Sequence, residues 1–150
     1  MHLFEQTQFV ECPRAELFSF FTDAKNLERI TPAHLNFEIL SSDTHVHEGT
    51  LLDYRLRLFG IPFQWRTLIE SFDHGVSFVD VQLKGPYKVW RHTHSFTEEA
   101  NGTRMDDRVE YEVPLGPLGA LAHVLFVRRQ IERIFAHRRK FIAEHFPRRA

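Results

Sequence analysis

The feature that most restricts the fold is a change of hydrophobic period late in the chain. From Leu35 onward, segment after segment carries apolar side chains at every second position, the mark of strands with one dry and one wet face. The last of these is the cleanest. Met105, Asp107, Val109, Tyr111 and Val113 share one side, and Arg104, Asp106, Arg108, Glu110 and Glu112 share the other. Pro114-Leu115-Gly116-Pro117-Leu118-Gly119 then interrupts the chain. Beyond it Leu121, Leu125, Ile131, Ile134, Phe135, Phe141 and Ile142 recur at three- and four-residue steps, which predicts one long amphipathic helix. A helix that arrives after a one-sided sheet must bury its stripe against the dry face.

The earlier segments fit that plan. Residues 3–11 alternate loosely as a first strand, and Cys12-Pro13 breaks it, with Pro13 suited to a helix's first turn. A short helix carrying Leu17, Phe18, Phe20 and Phe21 follows, then a second, DAKNLERI, which Thr31-Pro32 ends. Strands are expected at Leu35–Ile39, Leu52–Leu58, Phe63–Phe72, Val76–Leu83, Gly85–Phe96 and Thr103–Val113. Gly60, Asp73-His74-Gly75 and Asn101-Gly102 mark tight turns between them. Hairpin-length connections imply an antiparallel sheet. The expected class is α+β, with about seven strands in a strongly curved sheet around the long C-terminal helix and two short helices after the first strand. Residues 1–150 read as one domain.

Between a curved sheet and a single helix, side chains often leave space, and GPYKVWRHTHSF (85–96) says what lines it. Trp90, His92, His94 and Phe96 fall on one face of that strand. In a dry core each imidazole N–H would need a partner, at a cost of roughly 1–3 kcal/mol if unmet. A surface would not need the aromatics. A partly polar cavity resolves both objections. Pairing Phe96 with Met105 sets His94 opposite Asp107, His92 opposite Val109 and Trp90 opposite Tyr111, and a slip of one residue would expose the apolar set. Asp80 and Gln82 join the same side if Phe78 points inward. Tyr54, Trp65, Trp90 and Tyr111 offer stacking surfaces and phenol hydrogen bonds to a ligand. Asp107 could orient His94 as an acid–base pair, or the polar groups could simply satisfy one another. His-x-His with Asp80 or Asp107 could chelate a metal, but a defined third ligand is missing, and no metal or cofactor is expected.

Composition excludes several classes. The net charge of −1 gives no general attraction for nucleic acid or anionic lipid. Arginine and lysine crowd the C-terminal helix, where membrane or RNA docking and a solvated face are both open; the solvated face fits the overall balance better. The single cysteine, Cys12, and an N-terminus without a basic and apolar leader suit a cytoplasmic protein. Fifteen Phe suit an interior that must line a hollow.

This order of elements, with PRAELFSFFTDAKNLERITP (13–32), FVDVQLKGPYKVWRHTHSF (78–96) and TRMDDRVEYEVPLGPLG (103–119), resembles the START-like ligand-binding superfamily, also called SRPBCC, in its bacterial polyketide cyclase/dehydrase-like branch. The resemblance implies the helix-grip fold and a cavity for a hydrophobic small molecule between sheet and C-terminal helix, typically of roughly 300–1,000 Å³. The implied ligand is lipid-, polyketide- or quinone-like, entering near Gly60 and Gly85. A cyclase or dehydratase using His94 and Asp107, and an interaction module docking on a membrane or partner, are the alternatives. Superfamily membership alone does not choose among them.

Overall fold

A computed structural model describes residues 1–146. Its strands are β1 (His2–Val10), β2 (Glu38–Ile39), β3 (Leu51–Leu58), β4 (Ile61–Asp73), β5 (Ser77–Lys84), β6 (Val89–Glu99) and β7 (Gly102–Glu112). They form one antiparallel sheet in the order β1-β7-β6-β5-β4-β3-β2. Helices α1 (Arg14–Phe21) and α2 (Asn26–Ile30) follow β1, as the sequence predicts. The tight turn between β3 and β4 puts both Phe59 and Gly60 at positive φ, a twist that matches the flanking strands. Register shifts at Arg66/Thr67 and Ile69/Ser71 in β4 bend the sheet further.

The β6–β7 register is the one the alternation predicts, with Phe96 opposite Met105, His94 opposite Asp107, His92 opposite Val109 and Trp90 opposite Tyr111. The inward face is dry where Met105, Asp107, Val109 and Tyr111 lie, and the outer face carries ion pairs such as Arg66–Asp53 and Arg55–Glu38. Phe18 and Phe21 of α1 pack on Phe96 at one end of the sheet. At the other end Leu56, Leu58 and Trp65 face Leu35, while Val109 and Tyr111 pack with Val127, Ile131 and Phe135.

The expected single helix is a composite. α3 (Gly116–Ala122) runs into a wider π turn (His123–Val127), where the Arg128 N–H donates to the His123 carbonyl, and then into α4 (Arg128–His145). Residues 147–150, which the sequence reading placed in the helix, lie outside the described residues. The buried stripe runs through Gly119, His123, Val127, Ile131, Phe135, Arg138 and Ile142. Its first steps are four residues each, more than an α-helix makes per turn, and the π turn absorbs the excess. Leu121 and Leu125, expected on the stripe, are therefore turned outward and exposed. Leu125→Ser should change unfolding free energy by no more than about 0.5 kcal/mol in a urea titration. A loss of about 2 kcal/mol or more would return Leu125 to the core.

α4 is held across β1. Gln6 Nε2 donates to the Phe135 carbonyl (3.3 Å), Gln8 Nε2 to the Arg139 carbonyl (3.0 Å), and Arg139 Nη1 to the Thr7 carbonyl (2.9 Å). Anchored there and by Ile142 in the core, the helix spans the concave face without filling it. No helix among the described residues is long and apolar enough to cross a membrane.

Candidate functional site

β5, β6 and β7 are adjacent strands, so their inward side chains form rows. Asp80 stands opposite His92 across one strand pair, and Asp107 opposite His94 across the other. The hydrogen bonds take the diagonals. His92 Nε2 donates to Asp107 Oδ1 (2.7 Å) and His94 Nε2 to Asp80 Oδ2 (2.6 Å), while the directly opposed His94 Nδ1–Asp107 and His92 Nδ1–Asp80 contacts are 3.6 and 3.8 Å. The two imidazoles stack at 3.6 Å between ring centroids. Sequence reasoning paired His94 with Asp107; the backbone register agrees, but sheet twist brings the diagonal partners closer.

All four groups are largely withdrawn from water. Burial, together with the neighbouring His92, pushes His94 down to about 4, so it is neutral near pH 7. Burial alone would raise Asp107, but the His92 hydrogen bond and the charges of His92, Arg138 and His94 outweigh it and hold Asp107 at about 2. Asp80 is balanced the same way, burial being overcome chiefly by the His94 hydrogen bond, and lies below the usual carboxylate range. Both carboxylates are thus ionised acceptors.

A cavity of about 130 Å³ opens above this floor. Tyr54, Trp65, Asp80, Trp90, His92 and His94, all expected ligand contacts, line it. Gln82, Tyr111 and Asp107 do not. Gln82 clasps the turn before β6, donating to the Tyr87 carbonyl (2.7 Å) and accepting from the Tyr87 N–H (3.1 Å). Tyr111 shares a 2.7 Å hydrogen bond with His123 of the π turn. Asp107 does not line the cavity and connects to it through His92, to which it is hydrogen-bonded, and through the nearby His94 and Arg138. The volume is also smaller than the resemblance implied. Trp65 meets Trp90 edge-on at 5.4 Å and Tyr54 stacks on Trp65 at 5.7 Å, so aromatic rings occupy space a larger ligand would need.

Among the lining residues that sequence reasoning missed, two bear on the polar chemistry. Thr67 shares a 3.2 Å hydrogen bond with the Tyr54 hydroxyl. Arg138 is the more consequential, a buried guanidinium 3.7 Å from Asp107 and 4.9 Å from the Phe135 ring centre. The available signal was its spacing, three after Phe135 and four before Ile142, which puts it on the buried stripe.

Asp80, His92 and His94 have potential ligand atoms within 4.8 Å of one another. The stacked rings direct their in-plane lone pairs side by side, each Nε2 is engaged by a carboxylate, and Arg138 adds positive charge. That arrangement suits shared protons better than a metal ion.

A family model described as "Polyketide cyclase / dehydrase and lipid transport" matches residues 10–137. No curated protein sequence matches the chain. Among solved structures, a START superfamily protein from Mycobacterium smegmatis is 14% identical with a TM-score of 0.73 over 97% of each chain. A Thermus thermophilus protein is 16% identical with a TM-score of 0.71 over 97% of this chain and all of its own. A nucleoside-diphosphate sugar epimerase from Corynebacterium glutamicum is 23% identical with a TM-score of 0.62, covering 94% of this chain but 28% of that one. At these identities the likeness is one of fold.

Proposed function

From the premise that the chain belongs to the polyketide cyclase/dehydrase and lipid-transport family, with the helix-grip fold of START-like proteins, we propose that it binds a hydrophobic small molecule bearing a polar group in the cavity under α4. One observation carries this reading: an aromatic-walled cavity rests on a floor of Asp80, His92 and His94, in which each imidazole is hydrogen-bonded to a largely buried carboxylate. Apolar walls contribute about 25 cal/mol per Å² of ligand surface buried, and the floor discriminates against ligands that leave it unpaired. The volume is close to the roughly 150 Å³ that accommodates benzene in an engineered protein cavity, which favours one ring over an extended chain.

Binding without proton transfer fits better than cyclase or dehydratase chemistry. His94 is a weak base at about 4, and its ring is stacked between Phe78 (4.2 Å) and His92 (3.6 Å). Its second nitrogen lies 3.6 Å from Asp107.

Trp65 and Trp90 are the chain's only tryptophans, and both line the cavity, so selectively excited tryptophan emission reports on it. Titration with benzyl alcohol should shift that emission saturably, and native mass spectrometry of the purified protein should detect noncovalent small molecules released on denaturation. His94→Gln should bind benzyl alcohol within about threefold of wild type, since a neutral hydrogen-bonding group is retained. An emission unaffected by benzyl alcohol, with no small molecule carried, overturns the reading.

A further inference from the structure

Buried polar atoms in and behind the cavity lack hydrogen-bond partners among the described residues: donors on Arg138 and Trp65, and Oδ2 of Asp107. Arg138 Nε and Nη1 are buried without a hydrogen-bond partner among the described residues, as is Trp65 Nε1, and both residues line the cavity. Arg138 stands near Asp107, but 3.7 Å is too long for a hydrogen bond, so the ion pair leaves the donors unused. An unpaired buried guanidinium is far costlier than an unpaired amide, and its planar fork matches a carboxylate. Together with a volume suited to one ring, we propose that the preferred ligand is a compact ring carboxylate, its oxygens accepting from Arg138 and Trp65. This rests on the binding reading above and names its ligand class.

The surrounding charge adds a condition. Arg138 from α4 faces Asp80 of β5, Asp107 of β7, His92 and His94 of β6, and the Tyr54 phenol of β3. With His94 neutral, the carboxylates of Asp80 and Asp107 already face the guanidinium, and a further anion would add negative charge in a low-dielectric space. His94, whose Nδ1 faces Asp107 at 3.6 Å, relieves it by taking one proton from solvent as the carboxylate enters. Affinity should therefore fall as pH rises.

Calorimetric titration of the full chain with benzoate, benzyl alcohol and acetophenone, near neutral pH and in phosphate and Tris buffers, tests this. Benzoate should bind about tenfold or more tighter than the two neutral rings, and the buffer dependence of its heat should report uptake of about one proton. Arg138→Gln should remove most of the benzoate advantage, weakening benzoate about tenfold more than benzyl alcohol. Should Arg138→Gln fail to fold by circular dichroism, Trp65→Phe carries the test, since it deletes the N–H and keeps a ring, and should weaken benzoate more than benzyl alcohol. Benzoate binding no tighter than the neutral rings, or tight with no proton uptake, overturns the proposal while leaving ring binding intact. Failure of all three compounds to bind strikes the underlying binding reading instead.

Discussion

Asp107→Ala should destabilise the fold by about 3–5 kcal/mol, the loss expected when one member of a buried charge network is deleted. Asp107 is 2% exposed, accepts from His92, and faces Arg138 at 3.7 Å. Its removal leaves a buried imidazole N–H without an acceptor and a guanidinium with only Asp80 as counter-charge. Asp107 does not line the cavity, so solvent entering there does not readily replace the lost oxygen. For a domain of this length a loss of that size lowers the melting temperature by about 10 °C. Asp107→Asn should cost less, because an amide oxygen still accepts from His92. Chemical denaturation of the three proteins checks the order. A change below about 1 kcal/mol in Asp107→Ala would mean that the cluster is solvated rather than enclosed.

Acidification should act on the same groups in two stages. His94 has a folded value of about 4 against 6.5 for the free side chain, so between those values the unfolded chain binds more protons. Stability is therefore full above about pH 6.5 and falls as pH drops towards 4, by an amount on the order of 3 kcal/mol. Asp107, held at about 2 against an ordinary 3.8, extends the loss below that window. Urea midpoints measured across pH should trace this descent, and His94→Gln should flatten its upper stage. A wild-type midpoint that stays level from pH 6.5 to 4 would show that His94 titrates as it does in water.

Why some of this was legible in sequence and some was not follows from the reach of each interaction. The β6–β7 register could be read because Met105, Val109 and Tyr111 alternate with Arg104, Arg108 and Glu110, and any slip would invert both sets. The two short helices were readable from Leu17, Phe18, Phe20 and Phe21 behind a proline. The helix stripe misled because a uniform helical period is assumed, whereas the four-residue spacing of Gly119, His123, Val127, Ile131 and Phe135 signals a wider turn. Arg138 was overlooked because arginine at a stripe position reads as surface unless Phe135 and Ile142 are counted on either side. The diagonal His–Asp bonds depend on twist, which no pairwise register carries. Gln82 and Tyr111 face inward by alternation, but their polar ends are taken by Tyr87 and His123, partners set by the turn before β6 and by the π turn.

The claim on which the rest depends is that α4 and the sheet enclose space rather than close upon each other. Diffraction from crystals of the full chain pressurised with xenon measures this directly, because xenon collects in apolar cavities and scatters strongly. A xenon peak is expected inside, bounded by Trp65, Trp90, Ile131 and Phe135. Absence of a peak there, with Ile131 and Phe135 packed straight onto the tryptophans, would contradict it.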